Sequence, residues 1–158
     1  MAVALATILS PALAQGQNLF VSDRTGDFSA NICEFTPGGT RSTFASGLNE
    51  PFGLAFDSAG NLFVADFGKI YEFTPGGTRS TFASGLDYPH GLAFDSAGNL
   101  FVADLSGNIY EFTPDGTRST FASGLATPEF LAFQVPEPST WAMLGMGVIA
   151  LLGIRRWK

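Results

Sequence analysis

One histidine, one cysteine and three recurring aspartates hold much of the chemistry open to this chain. His90 closes the linker Asp87-Tyr88-Pro89-His90, in the place that Phe52 and Glu129 hold in the comparable linkers Asn49-Glu50-Pro51-Phe52 and Ala126-Thr127-Pro128-Glu129. An imidazole titrates near neutrality, and it serves as general acid or base only with a second group within hydrogen-bond reach. The sequence places no such partner, so His90 reads as a surface or loop histidine, with a catalytic role as the alternative. Cys33 is alone and cannot form an internal disulfide. It stands where the later copies of a repeat carry Tyr71 and Tyr110, which makes it a small apolar substitute and not a reactive thiol.

Asp23, Asp66 and Asp104 each end a short apolar run, and they recur in every copy. A site at the centre of a repeat array needs different residue types from different copies, so residues common to all are architecture first. The three aspartates therefore read as hydrogen-bond acceptors at turns and edges, against the alternative of a divalent-metal site. By the same reasoning Glu34, Glu72 and Glu111 pair with Arg41, Arg79 and Arg118 in a repeated structural ion pair. Positions that differ between copies, above all the linkers ending in Phe52, His90 and Glu129, are the better functional candidates. No Gly-rich phosphate loop, metal-spaced His/Cys cluster or nucleophile elbow is present. The sequence thus implies no cofactor, no metal ligand and no catalytic residue, and an enzyme follows only by analogy of fold.

The elements that position these residues are written three times. FTPGGTRSTFASGL at residues 35–48 returns unchanged at 73–86 and, with Asp115 in place of Gly38 and Gly76, at 112–125. GLAFDSAGNLFVAD at 53–66 is identical to 91–104, and Glu72 and Glu111 stand 39 residues apart. Repetition at this period points to a solenoid or a propeller. Each unit predicts four short strands, Leu54–Phe56, Leu62–Ala65, Ile70–Phe73 and Ser80–Phe82, joined by Asp-Ser-Ala-Gly-Asn and Thr-Pro-Gly-Gly turns. LFVA and IYEF are apolar on both faces, as expected of small sheets covered on both sides by neighbours. The segment from Arg24 to Asn31 lengthens the first copy and is expected as an irregular surface loop.

GLAFDSAGNLFVAD followed by IYEFTPGG resembles the NHL-repeat, gluconolactonase-like and virginiamycin-lyase-like propellers over about residues 18–133. The resemblance implies an all-β propeller-type fold of about three four-stranded blades. It says little of function, because such folds serve hydrolases, lyases and binding modules. The first copy begins at Asn18-Leu19-Phe20-Val21, the second strand of a unit. Leu131-Ala132-Phe133 at the far end matches the first strand, Leu54-Ala55-Phe56. A closed propeller has about four blades or more. Either two chains complete a six-bladed ring, or the blades remain an open arc, or the chain descends from a longer protein. A homodimer of the 15–138 segment is the expectation, with the 131–133 strand required for it.

Both ends read as addresses. MAVALATILSPALAQ is an apolar run closing on the small-x-small triplet Ala12-Leu13-Ala14, a signal peptide over residues 1–14 cleaved after Ala14; its missing basic n-region would lie upstream of Met1. At the other end, Pro136-Glu137-Pro138, an apolar run at 141–154 and Arg155-Arg156-Trp157-Lys158 follow in fixed order. That order resembles the PEP-CTERM sorting signal of Gram-negative bacteria. The resemblance implies that Pro136, Glu137 and Pro138 form the sorting motif and that an exosortase processes the chain near them. The apolar run rises only about 21 Å as a helix against a hydrocarbon core of roughly 30 Å. Snorkelling Arg155 and Arg156 extend its reach, and with Lys158 they form the basic cytoplasmic end of a transmembrane helix.

Between residues 15 and 138, five basic residues face 14 acidic ones. Such a surface repels phosphate backbones and argues against nucleic acid as a partner. Three segments follow: a signal peptide at 1–14, a propeller-type repeat domain at 15–135 and a sorting signal with its helix at 136–158. The expected protein is exported, held in the inner membrane before exosortase processing, and then delivered to the cell surface or extracellular matrix. There its repeated face contacts exopolysaccharide or a surface protein. The alternative is a gluconolactonase-like or lyase-like metal-dependent enzyme.

Overall fold

The computed structural model describes residues 16–25 and 29–134. The expected signal peptide, Pro136, Glu137, Pro138, the apolar run at 141–154, and Arg155, Arg156 and Lys158 lie outside the described residues. Within them every regular element is a strand, and the strands form three antiparallel sheets, one for each copy of the repeat. Sheet I runs β1 (Leu19–Thr25), β2 (Ser29–Phe35), β3 (Arg41–Leu48). Sheet II runs β4 (Leu54–Phe56), β5 (Leu62–Asp66), β6 (Lys69–Phe73), β7 (Arg79–Ser84). Sheet III repeats it with β8 (Pro89–Phe94), β9 (Leu100–Asp104), β10 (Asn108–Phe112) and β11 (Arg118–Ala122). Among the described residues the first blade has three strands and no inner one, as its register in the sequence predicts.

Strict sequence order within each sheet follows from the turns. Asp57 accepts from the backbone N–H of Ala59 at 2.9 Å and of Asn61 at 2.8 Å, closing a side-chain-mimicked turn, and Gly60 takes the left-handed φ of 84° that the reversal needs. Asp95 repeats the arrangement with Ala97 and Asn99. The second strand of each complete blade is buried along its whole length, Leu62–Asp66 and Leu100–Asp104 alike. Its alternating side chains face two different neighbours. Leu62 and Val64 pack backwards against Ile32, Ala45 and Leu48, while Phe63 and Ala65 pack forwards against Leu92, Leu100 and Val102. Apolar residues on both sides of the strand are therefore the requirement of a blade held between blades.

Close approach of blades at their inner edges depends on glycine. A Cβ built on Gly53 would lie 2.0 Å from the His90 carbonyl oxygen, and one on Gly91 would lie 2.6 Å from that of Glu129. The third counterpart is Phe130, whose ring is 88% exposed.

Two expectations are corrected. The described residues of the Arg24–Asn31 insertion are paired and not irregular: they prolong the first hairpin, with Asp23 opposite Asn31, Arg24 opposite Ala30 and Thr25 opposite Ser29. The repeated Glu–Arg ion pair does not form, because Glu72 stands opposite Ser80 while Arg79 stands opposite Phe73, one residue out of step and on the other face. Arg79 and Arg118 instead lie over the rings of Tyr71 and Tyr110, at 5.1 and 5.0 Å. Within the single chain Leu131–Phe133 makes no ladder, and the described blades stand as an open arc, one of the arrangements the sequence allowed.

Candidate functional site

Asp66 and Asp104 resolve as acceptors. The Asp66 carboxylate takes the backbone N–H groups of Asn49 (3.0 Å) and Glu50 (2.7 Å), and so ties the linker between the first two blades to the end of β5. Asp104 takes the N–H of Asp87 at 2.8 Å in the next linker, together with the N–H and hydroxyl of Ser106. Both are buried, at 5% and 0% exposure, and the bonds from fixed donors explain how the interior holds them. Asp23 pairs instead with Arg41 at 2.8 Å. Cys33 is buried as expected, its thiol 3.8 Å from Asp23. Among the described residues no group of three or more His, Cys, Asp or Glu side chains has a metal-binding arrangement.

The linkers thus anchored deliver their last residues to the inner edge of the arc. There Phe52 and His90 stack at 4.0 Å between centroids with 25° between planes. The Arg24 guanidinium lies over the other aromatic partner, 5.3 Å from the Phe52 centroid, and is oriented by Glu50 at 3.3 Å. Ser22, Arg24, Pro51, Phe52, Gly53, His90, Glu129 and Phe130 line a cavity of about 190 Å³. A second hollow of about 360 Å³, sharing Ser22, Phe52, Gly53 and Phe130, continues it along the inner strands. Tyr88, two residues before His90, holds a positive φ of 51°, the single non-glycine case among the described residues. Its ring rests edge-on against Phe67 at 4.7 Å, which holds the strained linker in place.

The site gathers the blade-specific residues. The linker ends that differ between copies, Phe52, His90 and Glu129, line one cavity. Arg24 was hidden, because an insertion read as a loop gave no reason to place its side chain at the inner edge. Chemically the arrangement is an aromatic platform in which the Phe52 ring lies between the His90 imidazole and the Arg24 guanidinium, with Glu129 lining the same cavity.

With this geometry established, the known proteins most like the chain can be placed. Residues 134–156 match the PEP-CTERM protein-sorting motif, and residues 86–108 match the NHL repeat. No curated protein matches the chain by sequence. Among solved structures, a candidate gluconolactonase superposes with TM-score 0.58 at 24% identity, covering 68% of this chain and 40% of that one. A streptogramin B lyase gives 0.56 at 16%, covering 70% of this chain and 43% of its own. Virginiamycin B lyase from Staphylococcus aureus gives 0.53 at 15%, covering 72% and 48%. The chain spans less than half the length of each, and the likeness is one of fold. The fold is propeller-type, built of NHL-like repeats, and the motif behind it marks an exported, membrane-anchored precursor of a Gram-negative bacterium, sorted by an exosortase.

Proposed function

We propose that this chain is an exported binding protein of the cell surface or extracellular matrix, delivered by an exosortase and working as a homodimer. The observation that carries the reading is adjacency: the sorting motif begins at residue 134, directly after the last repeat segment, Leu131–Phe133, so the blades are the cargo that the motif sorts. A signal peptide over 1–14 starts export. The apolar run at 141–154 halts the precursor in the inner membrane, with Arg155, Arg156 and Lys158 on the cytoplasmic side. Processing near Pro136-Glu137-Pro138 releases the repeat domain. Its ligand is exopolysaccharide or a surface protein, held beside the Phe52–His90 platform, where an apolar face packs on the free side of the His90 ring and hydroxyls reach Arg24 and Glu129.

The processing step is tested by replacing Pro136, Glu137 and Pro138 with alanine in the native host. Export continues, and the uncleaved chain accumulates in the inner membrane, as read by fractionation and mass; normal release of that variant overturns the assignment. Binding is tested with the released protein on host exopolysaccharide and on a glycan array. Phe52→Ala with Arg24→Ala lowers binding at least tenfold while the fold persists, and an unchanged profile removes the platform from the reading.

A second reading has its own support in His90 and Glu129, an imidazole and a carboxylate lining one cavity. They supply an acid and a base for a lyase-like or gluconolactonase-like, metal-dependent reaction. Lactone hydrolysis measured with and without added divalent cations decides this, with His90→Ala as the control.

A further inference from the structure

Three contacts join each blade to the next and a fourth completes each four-stranded sheet, and the structure repeats them with little change. Phenylalanines meet across the junctions, Phe44 with Phe73 at 5.8 Å and Phe82 with Phe112 at 5.7 Å. An arginine reaches back to the preceding blade, Arg79 to the Gly47 carbonyl at 3.5 Å and Arg118 to that of Gly85 at 3.2 Å. Asp66 and Asp104 take linker N–H groups. The inner strand pairs with the second in a fixed register, Leu54 opposite Val64 and Leu92 opposite Val102.

Both ends of the arc carry one half of every contact. At the last blade, Phe121 is 64% exposed and meets no phenylalanine of another blade among the described residues, and the carbonyl of Gly124 stands where Gly47 and Gly85 accept. Ala126 and Thr127 occupy the linker positions of Asn49 and Glu50. Leu131 packs on the core of Phe101, Ala103 and Ile109. Phe133 meets Phe101 at 5.0 Å and 74°, the geometry of Phe20 with Phe56 (5.0 Å, 73°) and of Phe63 with Phe94 (5.0 Å, 76°). The segment is thus held where an inner strand belongs, without a sheet to join. At the first blade, no described strand pairs with the outer side of β1, where Leu19 is 63% and Val21 38% exposed, and Arg41 and Asp23 pair with one another.

We propose that the occupant of each end is a second copy of this chain, deepening the paired state put forward above. Two arcs close head to tail into one six-bladed ring, and each lends Leu131–Phe133 as inner strand to the other's three-stranded blade. The repeat fixes the register: Leu131 lies opposite Val21 of the second copy, Ala132 opposite Phe20 and Phe133 opposite Leu19. Phe121 meets Phe35, Arg41 turns to the Gly124 carbonyl, and Asp23 takes the N–H groups of Ala126 and Thr127. A two-fold axis satisfies both ends at once and leaves neither edge open. Size agrees, since the chain covers 40%, 43% and 48% of three solved relatives, about half a propeller. Phe130 marks the exception, replacing the glycine of the internal junctions with a side chain. The junction between copies is therefore looser at its inner edge than those within a copy.

The test uses the full chain in detergent, with Val21→Cys in one tagged chain and Leu131→Cys in another. Residues directly opposite on paired strands stand about 4.5–5.5 Å apart at Cα, within reach of a disulfide. Native Cys33 stands directly opposite Val21 on the neighbouring strand, so both chains also carry Cys33→Ala, and the chain with Cys33→Ala alone is the control. Mild oxidation yields the mixed disulfide carrying both tags, and a chain with both substitutions stops at twice its own mass. An intramolecular bond in that double variant shows closure within one chain, a ladder of higher masses shows an open filament, and absence of the mixed disulfide shows no junction; each overturns the proposal. Sedimentation of the unsubstituted chain at twice its mass, beyond bound detergent, is required independently of any substitution. Ligand binding and sorting are read separately, so failure here leaves them standing.

Discussion

Asp104 and Asp23 occupy the same place in the repeat yet differ in what they hold. Asp104 is fully buried and accepts from Asp87 and Ser106, so Asp104→Ala strands donors in the interior and costs about 2–3 kcal/mol, read from urea unfolding. Asp23 is engaged in an exposed pair with Arg41, and Asp23→Ala in the isolated chain costs under about 1 kcal/mol. A second contrast comes from Asp115, which stands where the earlier copies have glycine. The Thr113 hydroxyl and the N–H of Thr117 hold its carboxyl below the usual carboxylate range, against a smaller opposing effect of desolvation. At Asp95 desolvation pushes upward, but bonds from the backbone and amide of Asn99, with those of Ala97 and Gly98, outweigh it and the net shift is downward. A carboxyl lowered in the folded state stabilises fully above the unfolded value of about 3.9, and that contribution is lost as pH falls through the lower folded value. Asp115→Gly therefore shows a urea midpoint that falls less steeply than the parent's below about pH 4.

At the scale of elements, the four strands of a blade were legible because their turns carry explicit chemistry, Asp57 with Gly60 and Thr74 with Gly77. The double-sided apolar strand LFVAD announced burial on both faces. What stayed hidden was geometric. The failure of the Glu–Arg pair depends on a register offset of one residue, and Arg24 reaches Phe52 only because an insertion continues as a hairpin. Gly53 shows the same limit, since nothing in its sequence context distinguishes it from a turn glycine, yet a Cβ there would meet backbone at 2.0 Å. Gly53→Ala forces two inner edges apart and destabilises by about 2–4 kcal/mol. Gly76→Ala, where the nearest atom is 3.9 Å away and φ is ordinary, stays within about 0.5 kcal/mol, and thermal melts of the two variants side by side check the difference.

For the whole molecule, the near-identity of the blades carries a consequence for how the chain finds its shape. Leu54-Ala55-Phe56 and Leu92-Ala93-Phe94 are the same three letters, and each fits the open edge of any LFV strand in reach, that of β1 included. An assembly one blade out of phase therefore satisfies nearly the same local bonds as the native one, and only the linkers ending in Phe52 and His90 tell them apart. Synthesis from the N-terminus removes much of this ambiguity, because the first hairpin forms before its rival edges exist. Refolding of the complete chain from urea has no such order. It yields a fast native fraction and a slowly correcting, protease-sensitive one, resolved by interrupted refolding, and substitutions that make β8 unlike β4 shrink the slow fraction. Identical modules spare the chain new inventions, but they leave it without landmarks, and its order of emergence does the work that distinct sequences do elsewhere.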